Sequence, residues 1–174
     1  MQTNRKKCLI IICAIVFAVT AVTAFFVFRE EERLLKYVDV AEQWCRVYCV
    51  DVYWVLATIE VESGGKEDAV SHVGAQGLMQ LMPETAKWLI EKLDIEVKTD
   101  IFEPELNIRL GTAYLAYLGD RFEGDNVFCA YNAGEGVVRE WINQGGEIKY
   151  NETKQYVKRI KSVIRRLKDL AYLY

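Results

Sequence analysis

The sequence contains few of the residues that build several common kinds of functional site. Only one histidine, His72, occurs in the 174 residues, which argues against a metal site made of histidines. Lysine and arginine together number 22 against 25 aspartates and glutamates, so the net charge is -3. Both signs are interspersed and no basic stripe is present, so binding to nucleic acid has little support. We expect no cofactor and no metal ion.

Internal repeats, low-complexity segments and strand patterns longer than a few residues are also absent from the sequence. A chain of 174 residues has room for one domain plus a short additional segment. The remaining patterns are helical. We therefore predict a mainly α-helical domain.

The additional segment lies at the N-terminus. Residues 9–28 form an unbroken run without charge, about long enough for a helix to cross the roughly 30 Å hydrocarbon core of a bilayer. A buried core helix would show a polar side, which this run lacks. A cleaved signal peptide would have a shorter apolar region; the weak cleavage site Val22-Thr23-Ala24 is followed by four further apolar residues. We predict an uncleaved transmembrane helix.

The charges around this helix predict its orientation. Arg5, Lys6 and Lys7 precede the run, and basic residues favour the cytoplasmic side. Residues 1–8 would then be cytoplasmic, residues 29–36 a connector, and residues 37–174 a folded domain outside the cell membrane. The membrane is thus one expected partner, through a single pass with the N-terminus inside.

Three cysteines fall in the domain. Cys45 and Cys49 share one face of a helix predicted over residues 34–48, and in an exported protein either could pair with Cys129. These three cysteines with His72 are also a weak match to a zinc site. Burial as small apolar side chains is the interpretation that we favour.

The stretch from residue 57 to residue 86 organises the domain. An apolar helix predicted over residues 50–63, with Asp51 as its N-cap, ends at Gly64-Gly65. A polar loop and a glycine turn over residues 74–77 follow. We predict that a further helix begins at this turn and carries Met79, Gln80 and Met82.

Two carboxylates, Glu60 and Glu62, lie near the end of the apolar helix. Val55, Ile59 and Glu62 share a helix face, whereas Glu60 points about 200° away from Glu62. A carboxylate at the end of a buried helix that faces a glycine turn is well placed to be an acid in a cleft. We therefore predict that Glu62 is this acid.

Several motifs in one order make the chain similar to a known family. Residues 40–165 resemble the soluble lytic transglycosylase family, a branch of the lysozyme-like superfamily. The matching motifs are Glu62-Ser63, Ser71, Gly74-Ala75-x-Gly77-Leu78-Met79-Gln80, Met82-Pro83-x-Thr85-Ala86, Pro104-Glu105-x-Asn107-Ile108, Gly111-Thr112-x-Tyr114-Leu115, Ala130-Tyr131-Asn132-Ala133-Gly134 and Glu152-Thr153-x-x-Tyr156-Val157. The loop at residues 65–68 departs from the family, which often has an aromatic residue and a proline there.

The resemblance implies a lysozyme-like helical fold and a cell-wall enzyme. Such an enzyme cleaves the β-1,4 bond between N-acetylmuramic acid and N-acetylglucosamine and leaves a 1,6-anhydromuramic acid end. Glu62 would be the general acid and base, and peptidoglycan glycan strands would be the partner. The expected substrate-binding residues are Ser71, Gln80, Met82, Tyr131, Asn132 and Glu152. Two alternatives remain open: a lysozyme-type hydrolase of the same bond, and a membrane-tethered protein that binds glycan without cutting it.

Overall fold

The computed structural model describes residues 12–22, 33–96 and 99–171. Residues 12–22 are helical (α1). The helices that follow are α2 (Val38–Tyr48), α3 (Val52–Ser63), α4 (Pro83–Lys92), α5 (Pro104–Gly119), α6 (Asp125–Ala133), α7 (Glu135–Asn143) and α8 (Asn151–Ala171). Within the described ranges, β pairing is limited to two isolated bridges, which join Gln76 to Val70 and to Leu81. The prediction of a mainly α-helical domain is confirmed.

The predicted membrane span lies partly outside the described residues, which include only 12–22 of residues 9–28. In the described part of the chain no helix is both long and apolar enough to cross a membrane. Residues 1–8 and residues 29–32 of the connector also lie outside the described residues. The end of the connector belongs to the domain's core, because Leu34 is 4% exposed and lies in the same cluster as the first domain residue, Tyr37.

Helix α3 runs through the middle of the domain. Its N-cap is Asp51, as predicted, and the Asp51 carboxylate accepts a hydrogen bond from the backbone N–H of Tyr53 at 2.8 Å. Helix α3 packs against α8, α2 and α5. Its buried residues are Val55, Leu56, Ala57, Thr58, Ile59 and Val61. A helix buried on nearly all sides matches the apolar pattern from which it was predicted.

The segment between α3 and α4 differs from the prediction. No helix begins at the glycine turn; residues 70–81 form a compact loop, and α4 begins only at Pro83. The backbone explains the difference, because Gly77 and Gln80 have φ values of 76° and 47°, in the left-handed region that a right-handed helix does not use. Pro83 is well suited to the first helical position, since its missing N–H is not needed there. Met79 and Gln80 therefore belong to the loop, and Met82 is the N-cap of α4.

The side chain of Asn107 on α5 holds this loop in place through hydrogen bonds. Its side chain is fully buried; Oδ1 accepts a hydrogen bond from the Met79 N–H at 2.8 Å, and Nδ2 donates to the carbonyls of Gln76 and Ile101 at 3.1 and 2.9 Å. Gly77 lies so close to Asn107 that an added Cβ would be 2.2 Å from Nδ2. A buried side-chain amide with three backbone partners thus fixes the loop against α5.

The predicted C-terminal amphipathic helix is α8, which packs along α3 and α6. Its buried stripe consists of Thr153, Tyr156, Val157, Ile160 and Val163. This packing places residues from the first half of α8 beside the end of α3.

The three cysteines of the domain are free thiols. Cys45 and Cys129 are buried, and burial raises the pKa of their thiols to about 12 and about 11. Cys49 is exposed at the end of α2. Cys45 and Cys129 therefore act as small apolar core residues, which is the favoured interpretation.

Candidate active site

Glu62 lies in the last turn of α3. The helix ends at Gly64, whose φ of 62° is left-handed and whose N–H donates to the Glu60 carbonyl. Ser63 closes the same end: its Oγ donates to the Ile59 carbonyl at 3.0 Å and accepts from the Gly65 N–H at 3.1 Å. The chain therefore turns away directly after Glu62, and the carboxyl group stays at the edge of the core.

Burial raises the pKa of the Glu62 carboxyl to about 7. Desolvation penalises the charged form of a carboxyl group, and it is the main cause here. The neighbouring Tyr156 hydroxyl and the positive charge of Arg159 act in the opposite direction and lower this pKa. The net result is an acid that is substantially protonated at neutral pH, as general acid catalysis requires.

Both of these opposing groups come from α8. The Tyr156 hydroxyl is buried and interacts with Glu62, but within the described residues it makes no bond of ordinary hydrogen-bond geometry. Its pKa is raised well above the usual value by burial and then by the Glu62 charge. Arg159 is held in place by a hydrogen bond of 3.1 Å from its guanidinium to the Val61 carbonyl. Helix α8 thus places a neutral hydroxyl and a cation beside the acid.

Tyr131 approaches Glu62 from α6. Its hydroxyl donates a hydrogen bond to the Met79 carbonyl at 2.7 Å, which ties α6 to the loop before α4. Burial raises the pKa of Tyr131 well above its usual value, with the Glu62 charge as the second cause. Tyr131, Tyr156 and Glu62 therefore come together from three helices that are distant in sequence.

Glu60 and Glu62 have different surroundings, as their positions on the helix predicted. Glu60 forms an ion pair with Arg166, near the far end of α8. Its side chain is 13% exposed. The partners of Glu62 are instead Tyr156 and Arg159.

The loop residues Ser71 and Gln80 are held mainly by backbone groups. Ser71 Oγ accepts a hydrogen bond from the Ala75 N–H at 3.0 Å, and in the described residues it has no hydrogen bond with Glu62. Gln80 Nε2 donates to the carbonyls of Ala69 and Gly77 at 3.0 and 2.8 Å. Both side chains brace the loop.

Met82, Asn132 and Glu152 lie in three different settings. Met82 is 38% exposed at the start of α4. Asn132 Oδ1 accepts a hydrogen bond of 2.8 Å from the hydroxyl of Thr153, which is buried on α8. Glu152 is exposed in the first turn of α8 and has neither a hydrogen bond nor an ion pair to any residue that the structure describes.

The described residues were also searched for groups that could bind a metal ion. Across the described ranges no cluster of three or more His, Cys, Asp or Glu side chains could hold a metal ion. The chemistry that this geometry offers is proton transfer by Glu62, with aromatic hydroxyls around it.

A profile of the family described as "Transglycosylase SLT domain" matches residues 39–154. The chain belongs to this family. The matched residues of the SLT domain include Glu62, Tyr131 and the whole loop between α3 and α4. The match confirms the resemblance on which the site residues were predicted.

Relatives and solved structures agree with this assignment. The SLT domain chain is 35% identical to the soluble lytic murein transglycosylase of Salmonella typhimurium over 146 residues, which is 75% of this chain and 23% of that protein. It matches a complex of the 70-kDa soluble lytic transglycosylase with bulgecin A at 31% identity and a TM-score of 0.74, over 82% of this chain and 26% of that one. It also matches an inactive Glu-to-Gln mutant of the lytic transglycosylase Slt from Pseudomonas aeruginosa at 34% identity and a TM-score of 0.66, over 72% and 23%. The SLT domain chain thus spans about a quarter of these proteins.

Tyr156 and Arg159 are the site residues that the sequence analysis missed. The motif Glu152-Thr153-x-x-Tyr156-Val157 drew attention to its carboxylate, yet Glu152 is exposed and Tyr156 is the residue beside Glu62. A usable signal was present, because Tyr156 falls on the apolar stripe of α8 and a buried tyrosine hydroxyl usually needs a polar partner.

Proposed function

We propose that this chain is a peptidoglycan lytic transglycosylase. It would cleave the β-1,4 bond between N-acetylmuramic acid and N-acetylglucosamine and leave a 1,6-anhydromuramic acid end. The observation that carries the proposal is the Glu62 carboxyl, whose pKa burial raises to about 7 at the position of the family's catalytic acid. The inactive mutant of the Pseudomonas aeruginosa relative is also a Glu-to-Gln change, which supports a glutamate-dependent reaction.

Glu62 acts twice in the proposed reaction. In its protonated form it donates a proton to the glycosidic oxygen as the bond from that oxygen to the muramic acid C1 breaks, and the sugar's own N-acetyl group stabilises the cationic centre. The Glu62 carboxylate then takes the proton of the C6 hydroxyl, whose oxygen closes the ring on C1. Water is not consumed, and Glu62 returns to its starting state. A pKa near the working pH suits a group with both roles.

The remaining predicted residues bind the glycan in this proposal. Tyr131 and the partly exposed Met82 line the cleft next to the acid. Ser71 and Gln80 hold the loop and use their remaining hydrogen-bonding capacity for sugar groups. Asn132 contributes to glycan binding from the position in which its hydrogen bond with Thr153 holds it. The exposed carboxylate of Glu152 contacts substrate at the mouth of the cleft.

Mass spectrometry of the products tests the proposal. Purified peptidoglycan digested with the protein should yield muramic acid ends that are lighter than hydrolysed ends by one water molecule. Reducing ends in bulk, lost on Glu152→Gln, would instead identify a hydrolase, because a second carboxylate is what a hydrolase needs. Binding without any new ends would identify a non-catalytic glycan-binding protein. Anhydro ends that persist at a lower rate in Glu152→Gln would assign this residue to substrate binding.

We further propose that residues 9–28 anchor the protein in the cell membrane, with the N-terminus inside and the domain outside. The charge-free run supports this, as do the helical conformation and exposed apolar side chains of residues 12–22. Full-length protein should stay with the membrane fraction after salt and alkaline washes, whereas a protein that begins at Glu31 should be soluble. Soluble extracellular protein whose N-terminus lies near Phe25 would show cleavage instead.

A further inference from the structure

The turn that follows Glu62 is in contact with the entry segment (residues 33–37), which leads into α2. The Arg33 guanidinium donates a hydrogen bond of 3.2 Å to the Gly64 carbonyl. Gly65 packs against the same residue, because a Cβ added to it would lie 3.2 Å from Arg33 Cβ. Arg33 and Gly64 are 31 positions apart in the chain, so it is the tertiary fold that brings the entry segment to this turn.

Tyr37 makes the second contact between the entry segment and the turn. Its hydroxyl donates a hydrogen bond of 2.8 Å to the Glu67 carboxylate and lies 3.2 Å from the Gly65 carbonyl. The Tyr37 side chain is buried in the core, which fixes the position of the hydroxyl. Lys36 adds an ion pair of 3.0 Å to the same carboxylate, between two side chains that are about half exposed. Exposed ion pairs contribute little to stability, so Tyr37 is the main hold on this part of the turn.

The turn has little conformational preference of its own. Gly64 and Gly65 are consecutive glycines with φ values of 62° and 74°, and glycine loses more conformational freedom on folding than any other residue. The last carbonyls of a helix have no partner within the helix, and helix ends fray. The last turn of α3, which carries Glu62, therefore depends on groups outside α3 that hold the chain after it. Among the described residues, the side chains that bind the carbonyls of these glycines are Arg33 and Tyr37.

We propose that Arg33 and Tyr37 are positioning residues for the reaction, which hold the turn after α3 and thereby keep the Glu62 carboxyl in its buried position. The inference rests on the proposed function for the role of Glu62. Both residues act through the backbone of the turn. Displacement of a reacting group by about 1 Å can cost about 10²-fold in rate, so loosening the turn should reduce kcat more than it weakens substrate binding.

The position of the carboxyl also determines its pKa. Burial raises the pKa of Glu62 to about 7, so a carboxyl that moves toward water should have a lower pKa. The groups that face Glu62 from α6 and α8, which are Tyr131, Tyr156 and Arg159, are unchanged in variants of the entry segment. Hydrogen bonds lower the pKa of Glu67, so this carboxylate stays charged around neutral pH. Loosening the turn should therefore move the alkaline limb of the kcat/KM profile, where Glu62 loses its proton, to lower pH.

Steady-state kinetics of the full-length protein on soluble, uncrosslinked peptidoglycan strands tests the proposal. Tyr37→Phe keeps the buried ring and removes only the hydroxyl. It should reduce kcat by about tenfold, leave KM unchanged and move the alkaline limb to lower pH. Arg33→Met keeps an unbranched side chain and removes the guanidinium. It should have the same effects with a loss of kcat of about fivefold.

Two control variants separate positioning from other effects of substitution. Tyr53→Phe removes a hydroxyl at the opposite end of α3, where the ring lies beside Lys168, and should leave kcat and the alkaline limb unchanged. Lys36→Met removes only the exposed ion pair to Glu67 and should reduce kcat by less than about twofold. The free energy of unfolding of each variant shows that the rates belong to folded protein.

Three results would overturn the proposal. The first is an unchanged kcat in both Tyr37→Phe and Arg33→Met. The second is a loss of kcat with the alkaline limb at the wild-type pH, which would mean that the entry segment stabilises the fold without positioning Glu62. The third is a loss confined to KM, which would assign the entry segment to glycan binding.

Hydrogen exchange allows the positioning role and the proposed function to fail separately. Exchange at the amides of residues 64–67 should be faster in Tyr37→Phe than in wild type, whatever the activity. Wild-type protein that releases anhydro ends, with unchanged kinetics in Tyr37→Phe, would reject the positioning role and keep the function. Wild-type protein that releases no ends, but exchanges faster at the turn in Tyr37→Phe, would reject the function and keep the hold of the entry segment on the end of α3.

Discussion

The Glu62 carboxyl and the Tyr156 phenol lie together at the contact between α3 and α8. Burial raises the pKa of both groups, to about 7 for Glu62 and well above the usual value for Tyr156. The two groups affect each other in opposite ways: the Glu62 charge raises the pKa of Tyr156, whereas the Tyr156 hydroxyl stabilises the charged form of Glu62 and limits the rise of its pKa. The phenol thus keeps the pKa of the acid in the range where it can both give and take a proton.

Replacing Glu62 should abolish turnover. We expect Glu62→Gln to reduce the cleavage rate by at least the roughly 10² to 10⁴ typical of a general acid, with the circular dichroism spectrum unchanged. Glu60→Gln is the matched control, two residues away on the same helix and paired with Arg166 instead. Release of muropeptides from purified peptidoglycan is the measurement. Activity retained in Glu62→Gln and lost in Glu60→Gln would show that the wrong carboxylate has been assigned.

The activity should fall on the alkaline side of neutrality. Glu62 must carry a proton to protonate the leaving oxygen, so kcat/KM should decrease above the pKa of about 7, by about tenfold for each pH unit. Because the neighbouring Tyr156 hydroxyl lowers the Glu62 pKa, Tyr156→Phe should raise it and move the alkaline limb to higher pH. The pH profile of the initial rate measures both effects.

A second tyrosine provides the control for this shift. Tyr150→Phe alters a ring that is 54% exposed and packs on Trp141, so it should leave the limb in place. A limb that moves to lower pH in Tyr156→Phe would contradict the assigned effect of the Tyr156 hydroxyl on the Glu62 pKa.

The sequence was sufficient to predict those elements whose structure depends on residues close to them in the chain. The apolar run of α3, its Asp51 cap and its stop at Gly64 were all predicted, and with them the location of Glu62 at the end of a buried helix. The loop before α4 was mistaken for a helix because its shape depends on Asn107, 28 residues away from Met79, and on the left-handed backbone at Gln80. Tyr156 and Arg159 were missed for a related reason, since only the docking of α8 against α3 brings them to Glu62.

The acid should also be a source of instability at high pH. A carboxyl group whose pKa is higher in the folded than in the unfolded protein destabilises the fold when it is charged. The contribution of Glu62 to the free energy of unfolding is therefore most favourable below pH 4.5, where the group is protonated in both states. This contribution is lost as the pH rises to about 7 and beyond. The shift corresponds to roughly 3 kcal/mol. At pH 8, Glu62→Gln should therefore have a free energy of unfolding higher than wild type by up to about this amount.

Urea denaturation at two pH values measures this difference. The gain in Glu62→Gln should be present at pH 8 and nearly absent at pH 4, whereas Glu60→Gln should be destabilised at pH 8 because it breaks the ion pair with Arg166. A Glu62→Gln protein that is less stable than wild type at pH 8 would rule out a destabilising, desolvated carboxylate at this position.

Asn107 should be essential for the loop that carries Gln80 and Met82. Asn107→Ala removes three hydrogen bonds and leaves the Met79 N–H and the carbonyls of Gln76 and Ile101 without their partner. Each unsatisfied buried group costs about 1–3 kcal/mol, so we expect the free energy of unfolding to fall by about 3–5 kcal/mol.

An exposed asparagine is the control that separates the loss of these buried hydrogen bonds from the general effect of an Asn-to-Ala substitution on stability. Asn143 ends α7 in solvent, and Asn143→Ala should change stability by no more than about 0.5 kcal/mol. Because Met79 also accepts the hydrogen bond from Tyr131, loss of Asn107 should loosen the contact between the loop and α6. Hydrogen exchange should therefore increase at residues 76–81 and at Tyr131, and leave the cap of α3 at Tyr53 unchanged. Faster exchange spread evenly over all helices, with no excess in the loop, would mean that Asn107 stabilises the domain as a whole and does not specifically hold the loop beside Glu62.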